Sequence, residues 1–316
     1  MLRFKSFNDW WFSGACRKFD GILLDIDGTL LSGRKKALPG ALELVSSLRK
    51  TGFRFGILTN DGNHSREEKS SFLNAAGFDF QPEDIISCAL VLKTLAVELS
   101  LKGEKVFVMG DLGCPVSYAE LAGMIPVSDP DAIESCRAVI VGEGQYDWCG
   151  VFEAVVNFLM RHPDVPLIAP NPDTHWPNGR GGIGIGAGAT SRFLAEMLAD
   201  LGFRIRRMTL GKPERAIFDY ALEKMFPGEK PPDRSRILMV GDFLKSDIRG
   251  ANRSGMASAL VMTGVTNEDL LAEADGEDVP DFVFNALACT DSGNSVIPGK
   301  KCRLRPVPDN SWCSRP

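Results

Sequence analysis

The stretch Gly21-Ile-Leu-Leu-Asp25-Ile-Asp27-Gly28-Thr29-Leu30 runs an apolar strand directly into two carboxylates and a tight glycine turn. A strand buried on both faces reads as a continuous apolar run, and in open α/β sheets ligands collect just beyond the carboxyl ends of the strands. Asp25 and Asp27, two residues apart, would point the same way there, toward a bound metal or a phosphoryl group. A lone Asp-x-Asp-Gly is also a calcium loop or a turn, so its meaning depends on the rest of the chain.

Three later segments carry complementary chemistry. Phe53-Arg-Phe-Gly-Ile-Leu-Thr59-Asn60 is a second apolar run, ending in a hydroxyl and an amide suited to holding phosphate oxygens without adding charge. Leu210-Gly211-Lys212-Pro213 precedes a helical pattern from Glu214 to Met225. Lys212 would sit at a loop-to-helix junction where a cation and backbone N–H groups can both meet an anion. Ile237-Leu-Met-Val-Gly-Asp242-Phe-Leu-Lys-Ser-Asp247 is a third strand ending in acids. Each piece alone has a structural explanation: Thr59-Asn60 as a turn, Lys212 as an exposed residue near a helix start, Asp242 and Asp247 as helix caps. Coincidence at four strand ends is a poor account of all of them together. Lys105-Val-Phe-Val-Met-Gly-Asp111 also ends an apolar run in Gly-Asp, but it lacks the second acid five residues on and precedes the lysine segment.

In this order the four segments resemble the motifs of the haloacid dehalogenase (HAD) superfamily: DxDGTL, Thr-Asn, the motif lysine and GDxxxxD. The resemblance narrows to class IIA and its NagD group of small-molecule phosphatases. It is carried by Val141-Gly-Glu-Gly-Gln-Tyr-Asp-Trp148, Asn171-Pro-Asp-Thr-His175 with its trailing glycines, Gly211-Lys-Pro213 and Val240-Gly-Asp-Phe-Leu-Lys-Ser-Asp-Ile248. It covers about Phe19 to Ala286. It implies an α/β fold, a Rossmannoid parallel-sheet core with an α/β cap inserted between motifs II and III. The implied activity is phosphatase chemistry with Asp25 as nucleophile and Asp27 as acid/base. The implied cofactor is Mg²⁺, held by Asp25, the Asp27 carbonyl and Asp242 with Asp247 orienting them, while Thr59, Asn60 and Lys212 stabilise the phosphoryl oxygens. Asp27 speaks against the dehalogenase branch, and the absence of a DKTGT lysine against the transport ATPases. A phosphotransferase and a noncatalytic phosphometabolite-binding module remain as alternatives. Asp61 departs from the group, which usually carries a neutral residue there. It would repel an anionic substrate or bind its polyol.

Apolar runs alternate with amphipathic helical stretches, the pattern of a parallel sheet flanked by helices. Ala41 to Lys50 has helical spacing through Leu44, Val45 and Leu48, stopped by Gly52, and Arg66 to Ala76 follows motif II likewise. The roughly 150 residues between motifs II and III exceed any single loop. The expected organisation is a core over 1–85, a cap over 86–208, core again over 209–291 and a loosely ordered tail over 292–316. Cap strands are expected at Val106 to Met109, Ala138 to Val141, Val165 to Ala169 and Gly182 to Ile185, cap helices at Val151 to Arg161 and Thr190 to Leu201, and a last core strand at Ala257 to Met262. Substrate selection falls to the cap, with Asn171, Asp173 and His175 as the candidate contacts or hinge. Gly179-Arg-Gly-Gly-Ile-Gly184 formally matches a dinucleotide fingerprint, but it follows a loop rather than a strand. Pro213 after Gly211-Lys212 excludes a Walker loop.

At 316 residues and 44% hydrophobic content the chain can fill more than one core. A net charge of −5 and the lack of a basic block interleaved with aromatics exclude a nucleic-acid surface; Lys300 to Arg305 is too short to alter this. Nothing approaches the roughly 20 apolar residues that span a bilayer, and Met1 to Asp20 has no secretory core, so the expectation is a cytoplasmic protein with no membrane partner. The eight cysteines lack CxxC spacing and read as reduced thiols. His64, His162 and His175 show no metal-ligand spacing. Phe7 and Trp10 to Phe12 are expected to pack on the body or on a neighbouring subunit. A small phosphorylated metabolite is the expected partner, and a homodimer through the cap is left open.

Overall fold

The computed structural model describes residues 1–33, 36–144, 146–177, 182–230 and 232–288. Leu2–Ser6 (β1), Gly21–Leu24 (β2), Phe55–Thr59 (β3) and Ile85–Ser87 (β4) precede or open the insert. Lys105–Met109 (β5), Ile125–Val127 (β6), Val139–Val141 (β7), Leu167–Ala169 (β8), His175–Pro177 (β9), Ile183–Ile185 (β10) and Arg207–Thr209 (β11) lie within it. Ile237–Gly241 (β12), Ala257–Val261 (β13) and Phe282–Ala286 (β14) follow. The large sheet has the order β1-β14-β13-β12-β2-β3-β4 and the insert's sheet β11-β8-β7-β5-β6, with parallel pairing throughout both. Chain order reverses at β2, which places β12 on one side of it and β3 on the other. That is the switch point at which α/β sheets open a crevice.

Side chains alternate across β2, so Ile22 and Leu24 point to one face and Leu23 to the other. The first face packs on Ala41, Leu44, Val45 and Leu48 of helix Ala41–Thr51. Gly52 ends that helix with φ +65°, a conformation open to glycine at little cost. The second face packs on Ile217, Phe218 and Ala221 of helix Arg215–Met225 and, in the same apolar cluster, on Val106, Ile140 and Ile168 of the insert. The other face of the insert's sheet, with Phe107, Met109, Val139 and Val141, is covered by Val155 and Leu159 of helix Trp148–Arg161 and by Leu194 and Leu198 of helix Ala187–Asp200. The insert is therefore joined to the large sheet by shared hydrophobic packing as well as by its two chain connections.

Some expectations need correction. The strand at Ala257–Val261 is not the last of the large sheet: β14 pairs with it, and β1 pairs with β14 at the edge, Leu2 opposite Phe282. The boundaries at 86 and 208 cut strands, since β4 continues to Ser87 in the large sheet and β11 to Thr209 in the insert's sheet. Of the N-terminal aromatics, Phe7, Trp10 and Trp11 are buried on the body while Phe12 is exposed. Of the glycine-rich piece, residues 179–181 lie outside the described residues, as does the 292–316 tail; Ile183–Ile185 pairs with His175–Pro177 as an antiparallel hairpin.

Phe7 is fully buried, with ring centroids 5.1 Å from Phe284 and 5.6 Å from Trp11. Phe7→Ala should therefore cost about 3–5 kcal/mol in chemical denaturation. A loss below about 1 kcal/mol would show that the N-terminal segment lies outside the cooperative core.

Candidate active site

Register brings the acids together. Leu24 of β2 pairs with Val240 of β12, and the Asp25 N–H donates to the Val240 carbonyl at 3.0 Å, so the residues after the two strands emerge side by side. Close backbone approach is needed around Asp242. A Cβ on Gly28, at φ +80°, would lie 2.5 Å from its Oδ2, and one on Gly264 would lie 1.8 Å away. Asp247 returns to the same place through the π-helical turn Leu244–Ile248, in which the Ile248 N–H reaches the Phe243 carbonyl. Single π turns of this kind recur at functional sites. Asp25, Asp242 and Asp247 are all buried, each offering a carboxylate oxygen within 4.8 Å of the others.

One ammonium faces them. Lys212 Nζ donates to Asp25 Oδ1 at 2.5 Å, to Asp247 Oδ1 at 2.7 Å and to the Leu58 carbonyl at 3.0 Å. Asp247 Oδ2 accepts from the Phe243 N–H at 3.0 Å, which leaves its carboxylate held at both ends. Three buried carboxylates against one cation would be anionic if all were ionised, and burial together with that repulsion sets the titration shifts. Burial pushes the Asp25 carboxyl well above its ordinary value; Lys212 opposes this and the neighbouring Asp247 and Asp242 add to it. Burial and Asp247 carry Asp242 up to about 8, against the Val265 N–H and Lys212. Burial disfavours the Lys212 charge, but Asp247 and Asp25 outweigh burial and hold the ammonium protonated. A compact set of hard oxygen donors facing a single ammonium fits a divalent cation of the Mg²⁺ type.

The acids open onto a cavity of ≈ 210 Å³ whose walls include Asp27, Thr59, Asp61, Glu143, His175 and Trp176. Asp27 is half-buried there, and its carboxylate is not part of the Asp25 cluster. Thr59 Oγ1 accepts from the Asp61 N–H at 3.1 Å. The Asn60 carboxamide accepts from the Lys212 N–H at 2.7 Å and donates to the Lys212 carbonyl at 2.9 Å and to Asp173 Oδ2 at 3.1 Å. That side chain holds the lysine backbone and also borders the cavity. Asn171, expected as a substrate contact or hinge, borders the cavity and donates to Glu143 Oε1 at 2.7 Å while accepting from the Asp173 N–H at 2.8 Å. Asp173 is half-buried, and burial raises its pKa to about 6 against the Asn60 hydrogen bond. His175 stays exposed on the hairpin over the cavity. Asp61 is met by His64 Nδ1 of its own loop at 2.8 Å and by Lys69 Nζ of helix Arg66–Ala75 at 3.8 Å, so the Lys69 ammonium offsets part of its charge. Glu143, Trp176 and Ile183 were not anticipated; Glu143 lies two residues past strand β7, and the strand-end rule would have found it.

Mouse chronophin is 30% identical to this chain over 281 residues, spanning 85% of the chain and 90% of its own length. The chain is a HAD-like hydrolase. Residues 22–123 of the hydrolase match the family model for haloacid dehalogenase-like hydrolases, and residues 209–289 match a HAD-hydrolase-like model. NagD from E. coli K-12 has the same fold at a TM-score of 0.71 and 24% identity, covering 86% of this chain and 98% of NagD. The glycerol phosphate phosphatase Rv1692 from Mycobacterium tuberculosis, solved in complex with magnesium, aligns at a TM-score of 0.70 and 25% identity, covering 90% and 78%. The hydrolase thus shares its family with chronophin and its fold with NagD.

The raised Asp242 carboxyl has a measurable consequence. The native state holds a proton that the unfolded chain, with the ordinary value of 3.8, releases, so in metal-free protein this group lowers stability as pH rises from roughly 4 to 8. Mg²⁺ entering the cluster must displace that proton. Calorimetric titration of Mg²⁺ at pH 7 in two buffers of different ionisation heat should show proton release, diminished in Asp242→Asn. Absence of release at pH 7 would contradict the assignment.

Proposed function

We propose that this hydrolase cleaves the phosphate monoester of a small metabolite in a Mg²⁺-dependent reaction through an aspartyl-phosphate on Asp25. The observation that carries this reading is the contact of Asp25 Oδ1 with Lys212 Nζ at the mouth of a small cavity. A carboxylate fixed by one oxygen, next to a cation and facing open space, is arranged for attack on an anionic centre. The relative named as a glycerol phosphate phosphatase, solved with magnesium, supports both the substrate class and the metal. A cavity of ≈ 210 Å³ suits a phosphoryl group with a short organic portion.

In the first step an Asp25 oxygen attacks phosphorus while the bond to the leaving oxygen breaks, and Asp27, on the same cavity wall, supplies the proton that oxygen needs. In the second step Asp27, now a carboxylate, takes a proton from water as that water attacks phosphorus, releasing inorganic phosphate and restoring Asp25. Lys212 balances charge on Asp25 throughout, and Asn60 keeps the lysine backbone in place. The Thr59 hydroxyl lines the cavity where equatorial phosphoryl oxygens would lie. Mg²⁺ held by Asp25, Asp242 and Asp247 would keep the nucleophile ionised and offset the charge of the phosphoryl group.

With p-nitrophenyl phosphate as probe, turnover should require Mg²⁺ and fall at least ~10³-fold in Asp25→Asn, since the covalent step has no other nucleophile. Near-wild-type turnover in that variant would overturn the mechanism. Asp27→Asn should lose most of its rate on alkyl phosphates and much less on activated aryl phosphates, because a stable leaving group needs little protonation. Equal losses on the two substrate types would assign Asp27 a scaffolding role instead.

A further inference from the structure

A second carboxylate at the cavity is used differently from those around Lys212. Glu143 is 7% exposed, and among the described residues its carboxylate accepts from three N–H donors. Its Oε2 accepts from Asn63 Nδ2 at 2.7 Å, and its Oε1 accepts from Asn171 Nδ2 at 2.7 Å and from the Ala187 N–H at 3.2 Å. Asn63 belongs to the loop after β3 of the large sheet. Asn171 lies in the loop after β8 of the insert, and Ala187 is the first residue of the insert's 14-residue helix, where backbone N–H groups favour a carboxylate. Glu143 itself is anchored by paired backbone bonds with Asp111, at 2.6 and 3.2 Å. Its two oxygens therefore face opposite ways across the junction between insert and core. The Gly113 N–H donates to the Asn63 carbonyl at 2.9 Å, which ties the same core loop to the insert a second time.

We propose that Glu143 is a positioning residue that clasps the insert onto the loop after β3, setting how the cavity wall stands over Asp25, and that it acts as a hydrogen-bond acceptor and not as a charge or a proton carrier. Asn171 Oδ1 receives the Asp173 N–H, and Asp173 accepts from Asn60, so the clasp continues into the residue that holds Lys212. Glu143 does not belong to the Asp25–Asp242–Asp247 cluster, and its oxygens are already occupied by donors from three segments. Glutamine keeps an acceptor for Asn171 and Ala187, and its new N–H₂ can donate to the Asn63 carboxamide turned end for end. Alanine removes all three bonds.

The part of the proposal that concerns turnover rests on the phosphatase reading above; the part that concerns the clasp does not. The test compares wild type, Glu143→Gln, Glu143→Ala, Asn63→Ala and the double alanine variant, by amide hydrogen exchange of the full chain and by p-nitrophenyl phosphate kinetics with Mg²⁺. In Glu143→Ala and Asn63→Ala, exchange should quicken in segments 61–64 and 171–174 but not in strands β2 and β12. KM should rise up to roughly tenfold, the size expected from a lost hydrogen bond, with kcat within about threefold. The double variant should be little worse than either single one, and Glu143→Gln should stay near wild type in both readouts. Impairment of Glu143→Gln equal to that of Glu143→Ala would overturn the proposal in favour of a role for the charge. Unchanged exchange in both segments for Glu143→Ala would also overturn it. A wild type inactive on p-nitrophenyl phosphate would defeat the phosphatase reading while the exchange data still decided the clasp.

Discussion

The molecule is organised around one buried ammonium. Taking a Lys side chain and three carboxylates out of water costs several kcal/mol per ion unless each is met by partners at close range. Lys212 meets that demand with Asp25, Asp247 and the Leu58 carbonyl. The backbone on either side of its Cα is held in turn by the Asn60 carboxamide, through both N–H and C=O. None of these partners is near Lys212 in the chain. They meet only because β2, β3 and β12 lie side by side in a parallel sheet whose order reverses at β2, which makes the site a product of the sheet's connectivity.

The same arrangement sets three carboxylates against one ammonium, and this separates binding from stability. A protein selected only for stability would replace such a group with packed hydrocarbon. Here the acids sit where glycines 28 and 264 allow backbone to press against Asp242, and where a π turn brings Asp247 back to it. That imbalance is what suits the site to a cation.

The insert supplies part of the cavity wall. Its hairpin places His175, Trp176 and Ile183 on the cavity wall, and its sheet shares an apolar cluster with Leu23, Leu58 and Met239 of the large sheet. That shared packing means the insert cannot be lifted away without exposing the core beneath it. The acid cluster and the insert's part of the cavity wall therefore lie on different segments that fold as neighbours, with buried polar contacts at 60–63, 143 and 171–173 between them.

Much of this was written in local pattern. Continuous apolar runs ending at Asp25, Thr59 and Asp242 specify buried parallel strands with chemistry at their ends, and helical spacing closed by Gly52 specifies a helix and its stop, because burial periodicity and left-handed turns are properties of neighbouring residues. The tertiary structure alone decided which distant groups meet. The half-exposed strand Leu2–Ser6 pairs with Phe282–Ala286 at the far end of the chain, Asn60 serves Lys212 across 152 positions, Asn171 turns to Glu143, and Lys69 and His64 meet Asp61. A carboxamide or carboxylate has the same appearance in sequence whether it faces a substrate or a buried donor. Which one it faces is set by the fold, since a buried polar group is stable only beside the partner that satisfies it.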